Sequence, residues 1–404
     1  MVTGYKQTEL GIIPNDWNVE LLGNIASPKA RIGWQNLRKD EFLDSGDFML
    51  ITGTDFENGK INYKICKYVS KERYLQDENI QVKNGDILIT KDGTLGKVAF
   101  VQELHMPATL NAGVFVLTGL SNEVNNRFLY QYLCTEKLMK YAEKTSTGGT
   151  IQHLNQGVLV NFPIPIPPLK EQKRIAQSLF DMDTLIAKSE QAIKKYRALK
   201  QTCLQHMFPR AGQTEPDIRL PGFTGPWEQR KLGDIVDFLD TQRKPLTENI
   251  REKGPYPYYG ASGIVDYVAG YIFDEELVLL SEDGANITDR NYPVCFLASG
   301  KYWVNNHAHV LKTKEGIDNN FICNSLECKD FSIYNTGMAM PKLNQDICKK
   351  IPVDFPTYDE QEKIGNYFRN IDYFITLHQR TCEKYKKIKQ GMMEELLSGK
   401  IRLV

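Results

Sequence analysis

Four short strings in this 404-residue chain carry residue types that could do chemistry. The only Pro-Pro pair, Pro167-Pro168 in IPIPPLK, invites comparison with the Asn/Asp-Pro-Pro-aromatic tetrapeptide that holds a flipped adenine, but no Asn or Asp precedes it. DGTLGKVA looks like a phosphate-cradling GxxxxGK[ST] loop, yet Gly93 and Gly96 are too close together and Val98 stands where Ser or Thr is needed. Glu171 and Lys173 have the E-x-K spacing of magnesium nucleases, without a further carboxylate in sequence reach. They read as the acid of a helix start and a solvated base. His307 and His309 alternate along a predicted strand in NNHAHV, and the six histidines show no metal-ligand spacing, so no metal site is expected. No catalytic residue is assigned.

The elements that would position a site are written twice. LNQGVLVNFPIPIPPLKEQKRIA (Leu154–Ala176) aligns without a gap with LNQDICKKIPVDFPTYDEQEKIG (Leu343–Gly365). The likeness continues through Ile186 with Ile375, Tyr196 with Tyr385 and Lys200 with Lys389. Upstream, DWNVELLGNIA resembles PWEQRKLGDIV, and DILITKDG resembles LVLLSEDG, at changed offsets that imply insertions within each half. The halves are roughly 1–209 and 210–404. Each opens with a region rich in Gly, Asn and Tyr, where DFMLITG, DILITKDG and GVFVLTG read as short strands. A brief helix is expected at Asn126–Lys144 and another at Ile317–Leu326. Each half then closes, after a proline cluster, with a long helix.

Those helices carry the sharpest periodicity. Steps of four and three run Ile175, Leu179, Met182, Ile186, Ser189, Ile193, Tyr196, Lys200, Cys203, Met207. The second copy runs Ile364, Phe368, Ile371, Ile375, His378, Cys382, Tyr385, Lys389, Met392, Leu396. A heptad stripe of this length wants a partner, and the obvious one is the repeat, packed antiparallel as a rod of about 50 Å. The alternative is that each helix covers only its own domain. The basic clusters Lys194, Lys195, Arg197, Lys200 and Lys384, Lys386, Lys387, Lys389 fit the wet face of such helices, or a surface near phosphates or partner subunits.

Bulk properties agree with a two-domain globular protein. Hydrophobic content is 41%, charged content 25% and formal net charge zero, a mild negative for nucleic-acid binding that leaves room for a local basic face. No run of about 18 apolar residues is present. The opening MVTGYKQTELGIIP lacks a signal pattern, and eight cysteines without a CxxC pair argue against a zinc cluster or disulfide framework. A cytoplasmic location is expected.

Two unlike heads on a duplicated helical rod suit recognition of two places on one extended target, and duplex DNA is the natural one. The repeated passages, the helices behind them and LPGFTGPWEQRKLGDIV resemble the specificity subunit of type I restriction-modification systems, over essentially the whole chain. YYGASGIVDYV, SEDGANI and MPKLNQ resemble motifs of that family's second recognition domain. The resemblance implies an α+β chain with a pseudo-two-fold repeat: recognition domains at 1–165 and 226–355, spacer helices at 166–209 and 356–404, and a linker at 210–225. It implies a non-catalytic subunit whose domains, similar in fold to the DNA-reading domain of adenine-N6 methyltransferases, each read half of a bipartite, asymmetric site. The helices would set the gap and dock two modification subunits, with restriction and translocase subunits joining. S-adenosylmethionine, ATP and magnesium would belong to those partners, and none to this chain. The competing readings are a self-sufficient methyltransferase or nuclease, and a scaffold that binds no DNA.

DNA contact calls for Arg, Lys, Asn and Gln at base edges and for small polar groups at phosphates. In the first head the candidates are Lys91, Asp92 and Thr94 on KDGT, with Thr145, Ser146, Thr147 and Gln152 on TSTGGTIQHLN. In the second they are Ser262, Arg290, Lys301, Asn305, Asn306 and Lys342. The bland alternative makes KDGT and EDGA simple hairpin turns. Asn155 and Asn344 are expected mainly as helix or turn caps.

Overall fold

The computed structural model describes residues 4–33, 36–118, 121–145 and 153–404. Contacts divide the chain into two compact units, residues 1–188 with 382–404, and residues 189–381.

In the first unit, eight strands build two sheets: β1 (Ser27–Lys29), β2 (Phe48–Ile51), β3 (Lys67–Val69), β4 (Gln81–Val82), β5 (Ile87–Thr90), β6 (Val98–Phe100), β7 (Ala108–Leu110) and β8 (Val114–Thr118). Their orders are β6-β5-β8-β1 and β3-β2-β7-β4, antiparallel except for the parallel pair β2–β7. Strand β5 is apolar because both of its faces are covered. Ile87 and Ile89 enter one core with Phe115, Leu117 and Phe128, whereas Leu88 enters another with Met49, Ile51 and Val116. The helix expected at Asn126–Lys144 is two, α1 (Asn126–Leu133) and α2 (Lys137–Thr145), with Thr135 Oγ1 donating to Tyr132 O at 2.7 Å in the break. The long helix α3 (Leu169–His206) follows Pro167-Pro168.

The second unit repeats the scheme. The strands of its two four-stranded sheets are β9 (Val236–Phe238), β10 (Lys253–Gly260), β11 (Gly263–Val268), β12 (Phe273–Asp274), β13 (Leu277–Ser281), β14 (Cys295–Ala298), β15 (Lys301–Val304) and β16 (Ala308–Thr313). The orders are β9-β16-β13-β14 and β11-β10-β15-β12, again with one parallel pair, β10–β15. Val278 and Leu280 of β13 face one core, Leu277 and Leu279 the other. Helix α4 (Asn319–Glu327) and the long α5 (Tyr358–Leu396) complete the repeat. Asn125 caps α1 by accepting from Phe128 N at 3.0 Å, and Asp318 caps α4 by accepting from Phe321 N at 2.7 Å.

Helices α3 and α5 each contribute to both units and pair antiparallel in each. In the first unit, Lys389 Nζ donates to Asp183 at 2.6 Å, and Ile175 and Leu179 share a core with Leu396 and Leu397. In the second, Lys200 Nζ donates to both Asp372 oxygens at 2.7 and 2.8 Å, Tyr196 stacks on Phe374, and Cys203 and Met207 share a core with Ile364, Phe368 and Ile371. Of the seam residues, Ile175, Leu179, Ile364, Phe368, Ile371 and Cys382 are buried. Met182, Ile186, Ile193, Tyr196, Ile375 and Tyr385 are half-buried, as a two-helix pair covers only one side of each stripe.

The repeated Glu-Gln at each helix start is an anchor. Glu171 is buried and accepts from Arg402 Nε at 2.7 Å, Arg402 Nη2 at 2.8 Å and Trp17 Nε1 at 3.1 Å. Glu360, also buried, accepts from Arg219 Nε and Nη2, both at 2.8 Å. Trp227, the counterpart of Trp17, leaves its buried Nε1 without a partner among the described residues. Gln172 bonds to Asn125 N, Glu123 O and Pro167 O, and Gln361 to Asp318 N and Pro356 O. Glu171 is thus the acid of the helix start, as expected, and is buried as an acceptor, while Lys173 is exposed as expected.

Candidate nucleic-acid interface

In the first head, β5 runs into the loop Lys91–Lys97. Thr90 Oγ1 donates to Thr94 O at 2.5 Å and accepts from Lys97 N at 2.9 Å, and Gly93 takes a φ of +72°. The loop is a seven-residue connection between β5 and β6 rather than a tight two-residue hairpin turn. Leu154 N donates to Lys91 O at 2.9 Å, which brings the LNQ passage beside KDGT. There His153 Nδ1 meets Asp92 Oδ1 at 2.6 Å, and Lys91 Nζ lies 5.5 Å above the Phe115 ring. Thr145 ends α2, exposed, its hydroxyl donating back to Tyr141 O at 2.9 Å. Ser146, Thr147 and Gln152 lie outside the described residues.

The second head rebuilds this arrangement. Leu343 N donates to Glu282 O at 2.7 Å, and Gly284 N to Pro341 O at 3.0 Å, so SEDGANI and MPKLNQ lie side by side. Lys342 Nζ pairs with Glu282 at 3.2 Å, and His307 Nδ1 lies 2.9 Å from both Asp283 oxygens. Asn305 is buried and accepts from His307 N at 2.8 Å, while Asn306 is exposed beside it. The adjoining loop is closed by Asn335 Oδ1, which accepts from Gly337 N and Lys342 N, each at 2.9 Å. Only glycine fits at 337, where an added Cβ would lie 1.8 Å from Met340 O. Ser262 sits exposed on the β10–β11 turn, and Ala261 O of that turn accepts from the Ser281 hydroxyl.

Two candidates stand elsewhere. Lys301 opens β15 with its ammonium 4.8 Å over the Tyr271 ring. Arg290, in a left-handed conformation at φ +55°, is committed to Glu327 and lies against the Phe331 ring. Asn155 and Asn344 occupy N-cap positions of the short helices Gln156–Val160 and Gln345–Cys348, but neither side chain makes the capping bond.

Behind the second loop cluster, Asp240, Glu282 and His309 approach closely enough to suggest a cation site. The hydrogen bonding argues against one. His309 Nδ1 lies 2.6 Å from Asp240 Oδ2 and Nε2 lies 2.7 Å from Leu343 O, so both ring nitrogens donate and neither offers a lone pair. Arg243 Nη1 donates to Glu282 at 2.7 Å, supplying the charge a metal would bring. Burial alone would disfavour the imidazolium, but Asp240 and Cys348 prevail and raise His309 to about 10. Burial also opposes the Asp240 carboxylate, and the His309 and Val310 N–H groups nevertheless hold it below its ordinary range. Sequence reasoning placed His309 on a strand but missed Asp240, His153 and Arg402, whose partners are 61 or more residues away.

Two topologically matched sheet domains, each offering an Asp-Gly loop beside a Leu-Asn passage and alternating with duplicated helices, define a tandem recognition protein. The family model "Type I restriction modification DNA specificity domain" matches residues 14–195 and 224–389, and the chain belongs to this family. It is 24% identical to the putative type I restriction enzyme MjaX specificity subunit of Methanocaldococcus jannaschii, over 99% of this chain and 97% of that one. It is 36% identical to the putative type I restriction enzyme specificity subunit S.HindORF215P of Haemophilus influenzae, over 34% of this chain and 35% of that protein. In fold it is similar to the type I restriction-modification S subunit from M. genitalium, with a TM-score of 0.67, 17% identity and coverage of 94% and 96% of the two chains. No helix among the described residues is long and apolar enough to cross a membrane.

Proposed function

We propose that this chain is the sequence-reading subunit of a type I restriction-modification complex and performs no catalysis itself. Each head reads one half of a bipartite, asymmetric duplex site through its Asp-Gly and Leu-Asn loops. Modification subunits dock on the helices and methylate adenine with S-adenosylmethionine, and restriction subunits supply the ATP- and magnesium-dependent steps. The observation that carries this reading is the recurrence of one loop pairing, Leu154 to Lys91 and Leu343 to Glu282, on heads that differ in their other loop residues. The missing methyltransferase tetrapeptide and phosphate loop favour catalysis by partners. Among the candidates, Lys91, Asp92, Thr94, Asn306, Ser262 and Lys342 are proposed for the reading loops, and Arg290 is assigned to holding the fold.

The test is a head exchange. Residues 226–350 are replaced by the corresponding segment of another family member, and methylated adenines are mapped in cells that supply the modification subunits. One half-site changes and the other is retained. Alteration of both, or of neither, refutes the division of labour.

A further inference from the structure

The two heads share a feature that the loop pairing does not require. Asp92 and Asp283 are equivalent positions of the repeat, and each holds the Nδ1 of a histidine, at 2.6 Å for His153 and 2.9 Å for His307. The histidines are not equivalent. His153 precedes Leu154 in the returning passage, whereas His307 precedes β16. The heads thus reach one pair by two routes. Its stability contribution does not account for it: His153 is 67% exposed and His307 49%, and exposed pairs add little. In both cases the Nε2 has no protein partner among the described residues.

We infer that His153 and His307 are specificity-determining residues, each offering its Nε2 to a base edge in the half-site its head reads. This rests on the proposed DNA-reading function. The carboxylate accepts a hydrogen bond from Nδ1–H, which leaves Nε2 of the neutral tautomer as an acceptor. An acceptor matches the exocyclic amino groups of adenine and cytosine. The carboxylate held against each ring disfavours a phosphate as the ligand. Asp92 and Asp283 are positioning residues, acting through the rings they hold.

The test substitutes His153→Asn and His307→Asn separately. Asparagine keeps a donor near the Nδ1 position, for the aspartate, and deletes Nε2. Each variant is assembled with its modification subunits, and binding is measured against duplexes carrying every single-base change in the wild-type site, at several salt concentrations. The expected result is a loss of discrimination of roughly tenfold at one base pair, in the half-site of the altered head only. Uniform weakening on all sequences with a shallower salt slope identifies a phosphate contact and overturns the inference. Unchanged discrimination overturns it too, given a melting temperature that shows the variant folded. If the wild-type complex itself shows no sequence preference, it is the proposed function that has failed.

Discussion

His309 is held between the Asp240 carboxylate and the Leu343 carbonyl, and its charge has a consequence for stability. With a folded value of about 10 against an ordinary 6.5, the imidazolium stabilises the second unit in full below about pH 6.5. That contribution is lost as pH rises towards 10. Asp240, held below its ordinary range, contributes on the other side, above its unfolded pKa, and that part is lost in acid. The unfolding free energy of the second unit, measured by urea denaturation, is therefore expected to fall between pH 6.5 and 10, by roughly one kcal/mol per pH unit at most. His309→Gln should flatten that slope; an equally flat wild-type profile refutes the assignment. Little of this was legible in sequence. NNHAHV showed a strand with alternating histidines, but Asp240 is 69 residues upstream and no local spacing announces it. The buried Glu171–Arg402 pair was hidden in the same way, although Ile-Arg-Leu recurs at 218–220 and 401–403 beside the recurring Glu-Gln.

The long helices were the most legible elements, because a heptad stripe after a proline cluster has few alternative structures. Short strands such as Ile87–Thr90 were legible as apolar runs, whereas their order in the sheets depends on crossovers that local pattern does not encode. Within the helix pairs, two lysines on the seam find aspartates on the opposite helix: Lys389 with Asp183, and Lys200 with Asp372. The partners are equivalent in the repeat, so one pairing occurs twice with its donor and acceptor helices exchanged. Lys389→Asp places two carboxylates at a contact that is only partly solvated. A loss of about 1–2 kcal/mol in stability is expected, with most of it recovered when Asp183→Lys is added. The measurement is a double-mutant cycle by chemical denaturation, and an uncoupled pair of losses excludes a register role for the contact.

At the scale of the whole chain, α3 and α5 are the elements that belong to both units. If their length sets the gap between half-sites, seven residues inserted at matched positions in both helices add about 10 Å of rise, close to three base pairs of duplex. Mapping methylated adenines should then find the same two half-sites separated by a longer gap. An unaltered gap excludes the helices as the measure.

The division of the chain also bears on its birth at the ribosome. Residues 189–381 form one uninterrupted unit and can close on themselves while synthesis continues, but the unit begun by residues 1–188 needs 382–404, which are made after all of the other unit. Arg402, which neutralises the buried Glu171, is made 231 residues after it. The usual order, in which the earlier-made domain matures first, is reversed here. The first head waits, its helix start carrying an uncompensated acid, until residues 382–404 have been made.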